Sequence, residues 1–182
     1  MEEKKVKDLM IKLDDYAVVD IDATLRDAIL ALEEAQKKIE PDRQPHRAVL
    51  VVNKNKRIVG KVGHLAFLKA LEPKYEVIKD IDKLSRAGVS DEFISTMMDH
   101  YKLFRADFQD LCRKAMGIKV MDVMHSVGES VDEEAPLAEA LNQLIVQQTL
   151  SILVTRDGKV VGLLRLSDIF DEISGCIKNI SD

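Results

Sequence analysis

Apolar and polar residues follow one another along this chain in an order that occurs twice. In the first half Val6-Lys7-Asp8-Leu9-Met10 opens the pattern, and Ala17-Val18-Val19-Asp20-Ile21 reads as a short strand. Leu25, Ala28, Ile29 and Leu32 then recur at helical spacing behind Asp22-Ala23-Thr24, a polar run of the kind that starts helices. Two apolar strands, 48–52 and 58–62, flank the polar turn 53–56, and a helix over 64–71 closes the half. In the second half Val120-Met121-Asp122-Val123-Met124 answers the opening, and Ser130-Val131-Asp132 answers the short strand. Leu137, Ala140, Leu141, Leu144 and Ile145 share a helical face behind Ala135-Pro136, proline being suited to a helix start. Strands at 152–154 and 160–164 flank Arg156-Asp157-Gly158-Lys159, where Asp-Gly signals a hairpin, and 167–173 is the closing helix.

The pattern is strand–helix–strand–strand–helix, twice. It predicts an α+β (mixed α/β) fold in which two β-α-β-β-α repeats pack as a pseudo-twofold pair. The repeats fall at 1–71 and 120–182, with a helical insertion over 72–119. Each repeat is small for burying its apolar face alone, so their shared interface is the natural place for a ligand. The first repeat carries extra residues at 36–45, which Pro41 and Pro45 mark as a loop. In the insertion Ile78, Ile81 and Leu84 share a face before Gly88, a plausible helix stop, and Ser90 caps a new helix carrying Asp91 and Glu92 in its first turn. Phe93, Met97, Tyr101, Phe104, Phe108, Leu111, Cys112 and Ala115 continue as a stripe, on one helix or on two broken near Arg105-Ala106-Asp107. Packing on the chain's own sheet is the commoner use of such a stripe; a partner or homodimer surface is the other.

Composition narrows the classes. At 46% hydrophobic and 32% charged residues the chain reads as folded, and a net charge of −5 without a basic stripe argues against nucleic acid as partner. No apolar run approaches the roughly 18–20 residues of a membrane span, and Met1-Glu2-Glu3-Lys4-Lys5 has no signal-peptide core, so a cytoplasmic location is expected. Cys112 and Cys176 share no metal or redox spacing and are expected to be buried free thiols. His46, His64, His100 and His125 lie in separate segments, indicating neither a metal site nor a triad. Asp14-Asp15 and Glu133-Glu134 read as solvated charge. With no phosphate-loop or dinucleotide fingerprint, no enzyme activity and no required cofactor is expected.

Both halves resemble the cystathionine-β-synthase-type (CBS) domain, through the V-x-D-[LV]-M opening and the hairpin that closes on Ile/Val-Val-Gly before an apolar strand and helix. The resemblance implies a stand-alone tandem CBS pair that associates as a homodimer through its helices and takes an adenosine-containing ligand (AMP, ADP, ATP or S-adenosylmethionine) between the repeats. The family's ligand motif, Gly, two apolar residues, Ser or Thr, two free positions, then Asp, aligns with Gly162-Leu163-Leu164-Arg165-Leu166-Ser167-Asp168. That places Asp168 where the ribose hydroxyls are held, with Ser167 beside it at the helix start. Arg165 replaces the hydroxyl residue: its guanidinium can pair with a phosphate, fill the space a phosphate needs, or bind Asp168 itself. In the first repeat Gly63 and Ala66 stand at the hydroxyl and Asp positions, and a methyl cannot hold a ribose. By the same resemblance His125, Ser126 and Val127, with Ser151 and Ile152, line the slot for the base; Leu150 adjoins them, and the family's usual proline is absent at Ile152 and at Leu50. The functions implied are a regulatory sensor signalling to an unknown protein partner or within a homodimer, or a structural platform that has lost the ligand.

Overall fold

The computed structural model describes residues 4–41, 43–71, 88–100, 107–128 and 130–179. Ile78, Ile81, Leu84, Tyr101 and Phe104 lie outside them. The strands are β1 (Ile11–Lys12), β2 (Val18–Asp20), β3 (Ala48–Val52), β4 (Ile58–Gly63), β5 (His125–Ser126), β6 (Ser130–Asp132), β7 (Ser151–Arg156) and β8 (Lys159–Arg165). The helices are α1 (Leu25–Gln36), α2 (His64–Leu71), α3 (Asp91–His100), α4 (Phe108–Ala115), α5 (Leu137–Val146) and α6 (Leu166–Asn179). They form a mixed α+β fold with two four-stranded sheets, ordered β2-β3-β4-β5 and β1-β8-β7-β6. In each, the short strand pairs parallel with the central one across a helical crossover, and the hairpin adds an antiparallel neighbour. Both hairpins carry a register shift at the same place, between Val51 and Val52 and between Val154 and Thr155. Asp157 and Gly158 take φ of 50° and 73°, the conformation that makes Asp-Gly favourable in a two-residue turn.

The fourth strand of each sheet comes from the other half. Beyond the opening Met, Ile11–Lys12 pairs with β8 and His125–Ser126 with β4, so the two halves exchange edges. The exchange extends into the cores. Val6 is buried among Val131, Ala140, Leu144, Ile152, Val154, Leu164 and Ile169, while Val120 is buried among Ala17, Leu25, Ala28, Val49, Val51 and Val62. Matching backbone bonds hold each opening: Val6 N–H to Ala135 O at 3.0 Å, and Val120 N–H to Ala23 O at 2.9 Å. This explains the repeated motif physically. The strand glycines let the exchanged edge lie close: a Cβ on Gly162 would stand 2.4 Å from Ile11 O, and one on Gly60 2.6 Å from Met124 Sδ. The opening methionine and the hairpin glycine therefore meet, each from the opposite half.

A third cluster, Ile11, Tyr16, Leu50, Leu153 and Leu163, joins the sheets face to face. Alternation along β8 sends Leu163 to this seam and Leu164 to the helix-covered core. In the insertion, Ser90 Oγ accepts from Phe93 N–H at 3.3 Å as the cap of α3, and Asp107 has extended backbone, so α4 begins as a separate helix. Of the stripe, Phe93 and Phe108 are exposed, and α4 packs against helix α2. The cysteines correct an expectation: Cys112 and Cys176 are free but both exposed, because α4 and the end of α6 lie at the surface. Glu133 is also buried rather than solvated, gripped by Arg156 through two bonds, whereas Glu134 is exposed. Lys5 and Lys7 hydrogen-bond Glu134 and hold its carboxyl down at about 2. No helix among the described residues is long and apolar enough to cross a membrane.

Candidate functional site

A basic side chain crosses the seam between the sheets at each of two equivalent places, the two crevices. In the first, β8 delivers Arg165 and the opening turn of α6 delivers Asp168, three residues on. Arg165 Nε and Nη2 both donate to the Asp168 carboxylate at 2.6 Å, a two-pronged pair of planar groups. Nη1 reaches the first repeat and donates to Gln44 O at 2.7 Å and Pro45 O at 3.2 Å. Arg165 and Asp168 are only 5% and 7% exposed, a desolvation that demands such complete pairing. Of the three roles open to Arg165 from sequence, binding Asp168 is the one observed.

The first repeat walls this crevice through its extra loop. Arg43 Nε stands 3.9 Å from Asp168 Oδ1, while its Nη2 donates to Leu9 O at 2.7 Å. His46 is buried edge-on against Tyr16, with ring centroids 4.4 Å apart, and its Nε2 lies 3.2 Å from Asp15 O. That contact puts the proton on Nε2 and leaves buried Nδ1 without a hydrogen-bond partner. Burial, seconded by the Arg165 charge, lowers the His46 pKa to about 4, and burial pushes the Tyr16 phenol up to about 12. Two guanidinium groups thus face one carboxylate beside a neutral imidazole.

In the second crevice Lys61 crosses from β4 to the other repeat. Its Nζ donates to Thr149 Oγ1 at 2.7 Å, Ser151 O at 3.1 Å and Ser151 Oγ at 3.2 Å. A cavity of about 20 Å3 adjoins it, lined by Val127, Gly128, Gln147, Thr149, Ser151 and Ile152 among others. Ala66, at the position equivalent to Asp168, is buried in the first core.

The candidate residues separate accordingly. Asp168 and Arg165 pair at the first crevice, and Ser167 adjoins Asp168 along the first turn of α6. Val127, Ser151 and Ile152 line the second, although Ser151 is the β-ladder partner of Arg165. His125 and Ser126 form the exposed exchanged edge beside Lys61 and Gly60. The edge exchange is the reason: it turns the segment after each opening Met into a strand of the opposite sheet. The motifs do not mark Tyr16, Arg43, Lys61 or Thr149, and His46 reads from sequence only as an isolated histidine. Lys61 was detectable, as a charge inside the apolar run of β4; the loop residues carry no periodic signal.

Two crossover repeats that exchange edge strands and meet along a seam define a tandem-repeat architecture. The CBS domain family model matches residues 6–73 and 120–175, so the chain belongs to the CBS domain family. The CBS-pair protein CBSX2 from Arabidopsis thaliana is similar in structure, with a TM-score of 0.59 at 20% identity over 98% of this chain and 100% of that one. A structure of CBSX2 in complex with AMP gives a TM-score of 0.56 at 22% identity over 96% of this chain and 98% of that one. The CBS domain of a CBS-domain-containing membrane protein from Sphaerobacter thermophilus gives 0.58 at 19% identity, covering 93% and 87% of the two chains. No curated protein sequence matches the chain. Domains of this family are generally regulatory, and the pair here is a regulatory-type module.

Proposed function

We propose that the chain is a non-enzymatic sensor that takes an adenosine-containing anion at the Asp168 crevice and signals to a partner protein or within a homodimer. The observation that carries this reading is the charge arrangement: a buried carboxylate in the ribose position, faced by two guanidinium groups, leaves one positive charge for a phosphate. Binding is an exchange. The ribose hydroxyls take Asp168, and Arg165 turns from the carboxylate to the phosphate. That movement releases Gln44 O and Pro45 O, the bonds by which β8 holds the loop of the first repeat. A coupling of about 1–3 kcal/mol is enough to shift the balance of repeat orientations. The AMP complex of CBSX2 makes adenine nucleotides the first ligands to try.

A structural platform is the second reading, favoured by Ala66 and by the saturation of Asp168 by Arg165. Exposed Ile145, Val146, Phe170 and Ile177 on α5 and α6 offer it a surface for a second copy. Calorimetric titration with AMP, ADP, ATP and S-adenosylmethionine separates the two. The sensor predicts saturable binding of at least one, weakened about tenfold or more in Asp168→Asn, the loss of a charge-assisted hydrogen bond. No heat from any of the four, with a stable dimer by sedimentation, selects the platform.

A further inference from the structure

The crevice at Lys61 holds a charge that the protein does not neutralise. Arg165 has Asp168; Lys61 has only the neutral oxygens of Thr149 and Ser151, and among the described residues no carboxylate pairs with it. Its surroundings are half-buried, and burial alone lowers its pKa, without an opposing acidic neighbour. Desolvating an ammonium without a counter-ion is costly, and a position that keeps one suits an anion from outside. The adjoining space of about 20 Å3 admits one oxygen-sized atom and is too small for a nucleoside. Its polar lining includes the Thr149 and Ser151 hydroxyls, which can rotate to donate, and the Gln147 amide.

We propose that this crevice is an oxyanion site, in which one oxygen of a small phosphate or carboxylate enters the cavity, pairs with Lys61 Nζ and accepts from the Thr149 and Ser151 hydroxyls. The anion draws Lys61 away from Ser151 and so acts on the bridge between β4 and β7. This site is independent of the adenosine reading, since it uses neither Asp168 nor Arg165.

The test is calorimetry at constant ionic strength with inorganic phosphate, and in a parallel arm acetate, on the full chain. Saturable binding is expected for one or both, the arm that binds identifying the oxyanion class. Lys61→Met is expected to weaken it about tenfold or more, while Lys61→Arg and Asp168→Asn keep it within about threefold, as a charge-centred site requires. Should Lys61→Met not fold, Thr149→Val keeps the charge and removes one donor, and a loss of about threefold or more is expected. No saturable binding of either anion overturns the proposal. So does equal binding by wild type and Lys61→Met, or, where Lys61→Met does not fold, by wild type and Thr149→Val. Loss on Asp168→Asn alone would transfer the anion to the other crevice and overturns it equally.

Discussion

The two crevices are built by the same chain path and differ in how each pairs the cation that crosses it. One holds a cation paired with its own carboxylate, walled by a loop that the second repeat lacks. The other holds a cation among hydroxyls, with alanine where the acid would stand. Since the backbone repeats down to the bulge in each hairpin, the divergence lies in a few side chains on the seam. A duplicated fold thus fixes where two equivalent positions lie while leaving the side chains at each free to diverge.

The largest difference is expected on removing each cation. Arg165→Met leaves the buried Asp168 carboxylate with only Arg43, 3.9 Å away and not hydrogen-bonded to it, and is expected to cost about 3 kcal/mol in urea unfolding. Arg165→Met with Asp168→Leu is expected to recover most of that, since the burial penalty of both charges disappears with the pair. Lys61→Met strands no charge, so its cost should stay within about 1 kcal/mol, the worth of its hydrogen bonds less the relief of desolvation. Equal costs for the two single variants would break the contrast between a paired and an unpaired crevice.

Acid should find the first crevice alone. His46 has a pKa of about 4 in the fold against 6.5 when unperturbed, so the unfolded chain binds the proton more readily. Its contribution is complete above 6.5 and is lost as pH falls from there toward 4, up to about 3 kcal/mol in all. Unfolding free energies between pH 7 and 5, above the range of ordinary carboxylates, should fall in wild type and stay flat in His46→Gln. An unchanged slope in that variant would assign the acid response elsewhere.

The glycines of the exchanged edges sharpen the comparison. At Gly162 the nearest obstacle to a Cβ is the Ile11 carbonyl, which is backbone; at Gly60 it is Met124 Sδ, on a flexible side chain, with the His125 carbonyl a looser backbone neighbour at 3.0 Å. Gly162→Ala is therefore expected to cost about 2–3 kcal/mol and Gly60→Ala about 1, since a methionine can move where a strand cannot. A reversed order in thermal unfolding would mean that the first sheet holds its exchanged edge more rigidly.

These contrasts divide what is legible in the chain from what is not. Short apolar runs located β3, β4, β7 and β8 because their residues are buried between the seam and the helix-covered cores, and Asp-Gly marked the second hairpin because φ above zero selects the turn residues. The motif around Asp168 located the paired crevice. The edge exchange was not legible, since Ile11–Lys12 and His125–Ser126 are too short for periodicity and their partners lie in the other half. For the same reason Val127 and Ser151 face Lys61 rather than Asp168. Arg43, His46 and Tyr16 converge only because the loop folds back on the seam, a tertiary fact with no local signature.

The smallest contrast lies at the starts of the two equivalent helices. Thr24 caps α1: its Oγ1 accepts from Asp27 N–H at 3.2 Å, and Asp27 Oδ2 accepts from Thr24 N–H at 2.8 Å, a reciprocal box. These bonds hold the Asp27 carboxyl below the usual range. At α5 the same position is Pro136, which has neither a hydroxyl nor an N–H, although Glu139 stands at the third helical position like Asp27. Thr24→Ala should lower stability by about 1 kcal/mol. Pro136→Thr should complete a second box with Glu139 and raise stability by about 0.5 kcal/mol, reduced by the greater freedom of the unfolded chain. If both substitutions destabilise in differential scanning calorimetry, the fixed backbone of Pro136 beside the Lys5 bridge outweighs a cap, and the two helices start by different physics.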